Sequence, residues 1–528
     1  MFWSINKIRG GLTLNIEKHL ILVKNEDKTE KIDHCEYVNG KWQVVYYKNN
    51  KVYTYSFNNV VWLRNPKIID HDNSVVYDNG QPISGIVKIF DFGDFVRLIF
   101  KTRFNKVYSK LSIIIEETCL KNEAAQDCFE YLKKLAEHVS IKLEDDRSFL
   151  SKQYSKLTTI SPRSVLSTYL ERKPLKKQSG NMQPIFPFGF NLSQKAATEN
   201  ALTEQVSVIE GPPGTGKTQT ILNIIANAII NNKTVAVVSN NNSATANVLE
   251  KLHKYGVDFI AAYLGNRDNK EKFYNEQKNI YPDMSDWTLE YQDVQEIKAN
   301  LLSSQQKLNE MLELQNRQAD LKQKLSVMYT EQEYFHKYYT EANVQSVKLQ
   351  SFLKISADNI ISILIDYQRN IEKDSISFRT KLYNFIIYGI YNFKLYNYSS
   401  EVFISFLQRT YYDKKINELN NQIEKIANKL DKYNFDSSMK EYSENSMKLF
   451  KSKLAERFRT GENRTTFSDD AIWKNFNFFI KEYPIILSTT HSLRSCASEN
   501  YLFDYVIVEP HDSKKFTKKT TFDFTRMV

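Results

Sequence analysis

Apolar and polar residues alternate with a period of two through much of the first 115 positions, and that period predicts strands. Runs at 42–47 and 52–57 flank Lys48-Asn49-Asn50-Lys51, a hairpin signal, and shorter runs fall at 60–63, 86–90 and 95–100. Residues 1–115 are therefore expected to form a β-rich domain. Trp42, Tyr46 and Tyr55 are candidates for stacking on nucleic acid, although strand aromatics more often belong to a core. From 122 to 145 the period changes: Phe129, Leu132, Leu135, Ala136 and Val139 share one helical face. A basic stretch follows, with Arg163, Arg172, Lys173, Lys176 and Lys177, so residues 116–183 read as a helical stalk and linker. Pro184, Pro187 and Gly189 mark a boundary.

Beyond it, apolar runs alternate with helical periodicity, the rhythm of a parallel α/β sheet. The run at 206–209 predicts a buried strand. Gly211-Pro212-Pro213-Gly214-Thr215-Gly216-Lys217-Thr218 follows, and then Ile221, Leu222, Ile224, Ile225 and Ile229 at helical spacing. Strand, glycine-rich loop and helix in that order are the context a phosphate-binding loop requires. Gly211, Gly214 and Gly216 let the backbone wrap a phosphate, and the helix aims its positive dipole end at it. Lys217 is suited to the β- and γ-phosphates, and Thr218 offers a hydroxyl to Mg²⁺. Thr215 and Gln219 complete the candidate ATP-binding residues of the loop. Upstream, Asn191 or Ser193 caps a helix carrying Gln194, whose amide has the donor and acceptor needed to read adenine.

A second buried strand at 234–238 runs into Ser239-Asn240-Asn241-Asn242-Ser243 and a helix whose apolar face includes Val248 and Leu252. Two more strands are expected at 484–487 and 503–508, followed by Thr489-Thr490 and by Glu509. Short hydroxyl and amide side chains where strands end are placed for phosphate contacts. Ser239, Asn240, Asn241, Ser243, Thr489 and Thr490 are the candidate nucleic-acid residues.

Between these strands the rhythm breaks. Val294, Ile297, Leu301, Leu308 and Met311 follow a heptad seam, and Ile416, Leu419, Ile423, Ile426, Leu430 and Tyr433 step by three and four. Residues 290–470 are expected to form an antiparallel coiled-coil insertion, a possible protein-binding arm. An aromatic helical tip, including Tyr383, Phe385, Tyr388 and Tyr391, is expected between its two arms. The motor-type sheet is thus expected in two parts, 184–289 and 471–509.

Composition adds little to this picture. The 528 residues have room for about three domains. A formal charge of +10 suits a nucleic-acid partner without establishing one. Cys35, Cys119, Cys128 and Cys496 are sparse and show no C-x-x-C spacing, which argues against zinc and fits a reducing cytoplasm. No uncharged apolar run reaches membrane-spanning length.

In this order the motifs resemble those of the superfamily 1 nucleic-acid helicases, in the branch that includes the nonsense-mediated-decay helicase. Residues 191–202 resemble the adenine-reading Q motif, 211–218 motif I, 239–246 motif Ia, 487–492 motif Ic, and 503–508 the strand of motif II. The resemblance implies a RecA-like P-loop motor domain, ATP and Mg²⁺ as cofactors, and single-stranded DNA or RNA as partner. It also implies an Asp-Glu pair after the last strand; here Glu509 holds the first place, as a degenerate catalytic carboxylate, and Pro510 the second. Read one base over, the codons that follow can give Ala-Ser, as in the family. Residues 510–528 are therefore expected to be an aberrant polar tail, and the chain a truncated helicase, weak or inactive alone. The alternative is a non-catalytic, nucleotide-dependent binding module that uses the coiled coil as its arm.

Overall fold

The computed structural model describes residues 14–47, 49–139, 148–178, 183–212, 214–240, 242–339, 355–371, 399–459, 463–470, 472 and 475–509. The four tip aromatics named above, Asn241 and the tail 510–528 lie outside them. The chain divides into two compact units: Met1–Met182, Ala197–Asp286 and Leu454–Val528 form the first, Gln183–Ala196 and Trp287–Lys453 the second.

The first unit begins with the expected β-rich region. Its strand His19–Val23 pairs antiparallel with Val60–Arg64 and is buried on both faces. Alternation sends Ile21 and Val23 into one cluster, with Ile32, Cys35, Val44 and Val60, and Leu20 and Leu22 into another, with Phe90 and Phe92. The expected hairpin forms between Lys41–Tyr46 and Asn49–Ser56, but Asn49, Asn50 and Lys51, expected in the turn, belong to the second strand, with Tyr46 paired to Asn49. Trp42, Tyr46 and Tyr55 are half-buried and pack against the first cluster. Two further turns are made by Asn39-Gly40 and Asn79-Gly80, all four residues at positive φ. That conformation suits the right-handed twist of the strands they join.

Arg97, on strand Phe95–Phe100, has no exposed surface. It donates to the carbonyls of Ile16 and His19, to the Asp27 carboxylate at 2.8 Å and to the Thr29 hydroxyl at 2.8 Å. Thr29 Oγ1 in turn donates to Asp27 at 2.6 Å and accepts from the Ile21 amide at 2.9 Å. One guanidinium thus ties three segments of the β-rich region through groups that would otherwise be buried unpaired.

The helix Glu123–His138 follows, capped by Asn122. The basic stretch is partly neutralised: Arg163 forks onto Glu116, Lys173 meets Glu171, and Lys177 meets Glu204. The Gln81 side chain makes two hydrogen bonds, at 3.1 and 3.0 Å, to the backbone of Leu502, joining the β-rich region to the segment before the last strand.

That strand belongs to a four-stranded parallel sheet. Its order is Ala261–Tyr263, Ile485–Thr489, Val235–Ser239, Tyr505–Glu509. Val235–Ser239 has a neighbour on each side and is buried throughout, whereas the edge strand Tyr505–Glu509 is only half-buried. Asp504 fixes the register by accepting from the amide and hydroxyl of Thr234 and from Lys233, each at 2.9 Å. The short strand Ala261–Tyr263 had no clear signal in the sequence.

The strand expected at 206–209 is not found. Residues 207–210 are exposed and adopt no regular structure, and the sheet contains no strand there among the described residues. Val208 is 75% exposed. The run has strand-favouring residues, but a strand is completed only by a neighbour. No described strand lies alongside.

In the second unit, the helices Tyr291–Tyr339 and Ser400–Lys432 run antiparallel. Glu310 meets Lys429 and Gln332 meets Asp413, each at 2.9 Å, with rising numbers on one helix opposite falling numbers on the other. Met311, Leu321, Leu419, Ile426 and Leu430 form their shared core. The helix Ala357–Ile371 packs on the second of these, with Tyr367 and Phe403 rings 4.5 Å apart. Near the start of this unit Phe186 and Phe190 stack at 4.3 Å, and Phe190 meets Tyr442 at 5.5 Å. Among the described residues no helix is long and apolar enough to cross a membrane.

Candidate nucleotide site

The glycine-rich loop opens the helix Lys217–Ile230 directly. Ten consecutive residues of that helix, Thr220 to Ile229, are buried, so its first turn is held by a rigid body behind it. Gly216 is its N-cap at φ +83°, a left-handed conformation that L side chains avoid. Having no side chain, Gly216 places no oxygen on the first-turn N–H groups, which leaves that end suited to an anion. Gly211 is needed for a different reason: a Cβ there would lie 2.6 Å from Thr215 Oγ1. Thr215 Oγ1 donates to the Pro212 carbonyl at 2.8 Å and so holds the loop closed.

Lys217 folds back over this loop. Its ammonium donates to Gly211 O at 2.7 Å and Pro212 O at 3.4 Å. Thr218, next on the helix, is half-buried and its hydroxyl accepts from Asn247 Nδ2 at 3.3 Å. Gln219 is half-buried on the same turn.

The parallel sheet delivers the other candidates at its strand ends. Ser239 is in register with Thr489 on one side and Glu509 on the other. Thr490 donates its amide to Ser239 O at 3.0 Å and its hydroxyl to Asn240 Oδ1 at 2.9 Å. Ser239 is fully buried, whereas Asn240 and Ser243 are exposed and Thr489 and Thr490 half-buried. Glu509 Oε2 is buried and has no hydrogen-bond partner among the described residues. Burial pushes its pKa up, while the positive charges of Lys217 and Lys251 pull it back down. An orphaned, buried carboxylate oxygen at a strand end is the kind of donor a divalent cation takes, so the residues present fit Mg²⁺.

Gln194 lies in the second unit, whereas the loop lies in the first. It is buried, and its Oε1 accepts from the Asn191 amide at 2.9 Å while its own amide donates to Asn191 Oδ1 at 2.8 Å. This reciprocal pair is a capping box that starts the helix Leu192–Thr203.

Two residues went unnoticed in the sequence, Asn247 and Lys251. They stand one turn apart on the helix Asn242–Lys254, and only the fold reveals that this face looks toward the loop.

A glycine-rich loop at a helix start, beside the carboxyl ends of parallel strands, is the arrangement of a P-loop nucleotide-binding domain, here without a formed strand leading into the loop. The AAA domain family matches residues 189–509. The chain belongs to that family, as a superfamily 1 helicase of the nonsense-mediated-decay-like branch. It is 37% identical over 71 residues to the DNA polymerase alpha-associated DNA helicase A of Schizosaccharomyces pombe, which is 13% of this chain and 11% of that protein. It is 27% identical over 210 residues to the regulator of nonsense transcripts 1 homolog of Neurospora crassa, covering 36% and 19%. An uncharacterized ATP-dependent helicase of Mycoplasma genitalium is 33% identical over 108 residues, covering 20% and 9%. The matched stretches thus span at most about a fifth of these relatives' own length.

Proposed function

We propose that this chain binds ATP with Mg²⁺ and serves as the nucleotide-binding part of an ATP-dependent helicase or translocase acting on single-stranded DNA or RNA. The observation that carries this reading is the pair Lys217 and Thr218 at an uncapped helix start, with the charge of Lys217 felt by the orphaned Glu509 carboxylate. Lys217 would exchange its loop carbonyls for the β- and γ-phosphates. Thr218 and Glu509 would hold Mg²⁺, which neutralises phosphate charge when bound. Residues 184–289 and 471–509 would be the two parts of the motor, and 290–470 a coiled-coil arm set into it. Asn240, Ser243 and Thr490, exposed or half-buried at the strand ends, would touch the nucleic-acid backbone; buried Ser239 would act by holding that edge together.

Pro510 follows Glu509 where a second carboxylate would polarise water, and proline has no acid–base chemistry. Turnover should therefore be weak. Titration with a fluorescent ATP analogue, beside steady-state hydrolysis with and without single strands, tests both halves. Binding with slow turnover is expected. Absent binding would overturn the nucleotide reading, and strong strand-stimulated hydrolysis would overturn the weak-turnover part.

The adenine-reading role of Gln194 can be separated from its cap. Glutamate can also close a capping box, so Gln194→Glu should keep the helix start, though it buries a carboxylate and should lower the melting temperature somewhat. Gln194→Ala should cost about 1 kcal/mol of stability. If the amide also reads adenine, Gln194→Glu should lose preference for ATP over GTP. An unchanged preference assigns Gln194 to the cap alone.

A further inference from the structure

Thr218 presents a hydroxyl at the first turn of the loop helix, and a hydroxyl on a rotatable bond has no fixed direction. It has one proton to donate and two lone pairs to receive with. In this structure one lone pair is already assigned, because Asn247 Nδ2 donates to Thr218 Oγ1 at 3.3 Å. The donor comes from the neighbouring helix Asn242–Lys254. That helix is itself anchored: Val248 and Leu252 are fully buried, and Thr245 is buried with its hydroxyl on the Asn242 carbonyl at 3.0 Å. Asn247 sits next to buried Val248 yet is exposed, so it extends from a fixed base into the open site. Lys251, one turn further along the same face, acts electrostatically on Glu509. Two residues of one helix face thus address the two groups suited to a cation.

We propose that Asn247 is a positioning residue for the nucleotide site: its side-chain amide holds the Thr218 hydroxyl so that the free lone pair is directed at Mg²⁺. This rests on the ATP·Mg²⁺ reading given above. An amide donor suits the task because it occupies one lone pair without adding charge beside the cation. It cannot itself compete for the metal while its NH₂ faces Thr218.

The test is a titration of fluorescent ATP binding against Mg²⁺ concentration, with a parallel titration in chelator. Wild type must first bind ATP in a Mg²⁺-dependent way; if it does not, the proposed function fails, and this inference with it. Given wild-type binding, Asn247→Ala should raise the Mg²⁺ concentration at half-effect several-fold, while binding in chelator stays as in wild type. Asn247→Gln, which keeps the amide on a longer stem, should recover part of the shift. Far-UV circular dichroism should be unchanged in both variants. An Asn247→Ala curve with the wild-type Mg²⁺ midpoint, or an equal loss of binding with and without Mg²⁺, overturns the positioning role while leaving the proposed function standing.

Discussion

Lys217→Ala is expected to lower ATP affinity by about 100-fold or more while the protein remains folded. The magnitude follows from removing a charged donor from a phosphate, worth about 3 kcal/mol in a partly desolvated site. Folding should survive because, among the described residues, the ammonium hydrogen-bonds only to carbonyls of its own loop, at Gly211 and Pro212. Those two carbonyls can turn to water when the lysine is gone. Fluorescent-nucleotide titration measures the loss, and circular dichroism verifies the fold. An affinity within threefold of wild type would mean that the loop does not serve phosphate, whatever its sequence.

The second large effect is on stability. Arg97→Ala should destabilise the β-rich region by about 3–5 kcal/mol, the usual cost of breaking a buried charge pair from one side. Four acceptors lose their donor at once: two backbone carbonyls, Asp27 and Thr29. Asp27 keeps the Thr29 amide at 3.0 Å and the Thr29 hydroxyl, so its carboxylate is not wholly stranded. Urea unfolding followed by tryptophan emission is the appropriate measurement, since Trp42 and Trp62 both pack beside this core. With a slope of about 2 kcal/mol per molar, the midpoint should fall by roughly 1.5–2.5 M. Asp27→Asn, which leaves an acceptor in place, should cost much less. A midpoint shift under about 0.3 M for Arg97→Ala would show that water replaces the guanidinium.

Local signals were legible in the sequence wherever a residue's role depends on its neighbours along the chain. The hairpin around residues 48–51, the loop with its helix, and the strands at 235–239, 485–489 and 505–509 all follow from period and punctuation. Asn39-Gly40 and Asn79-Gly80 were equally readable as two-residue hairpin turns, and they locate strands that apolar alternation alone left unassigned. What could not be read depends on the third dimension. Arg97 looks like an ordinary strand arginine until its acceptors gather from residues 16 to 29. Asn247 lies between Ala246 and Val248 in an unremarkable helix, and nothing local says that it meets Thr218. The run at 206–209 fails for the opposite reason: its own residues favour a strand, but a ladder is a property of pairs.

That unpaired run has a thermodynamic consequence for the loop it leads into. On its far side the loop is fastened to a buried helix, while on its near side residues 207–210 lie exposed and outside the sheet. A ligand that fixes the loop must also supply the ordering free energy of this lead-in, of order 1 kcal/mol per residue confined. Part of any phosphate affinity of the loop would therefore go into ordering the backbone. Linkage makes the relation reciprocal. If the loop takes a nucleotide, a ladder supplied to residues 206–209 would tighten that binding, and bound nucleotide would tighten the pairing by the same factor. The exposed lead-in and the phosphate loop would in this sense be two ends of one coupled equilibrium.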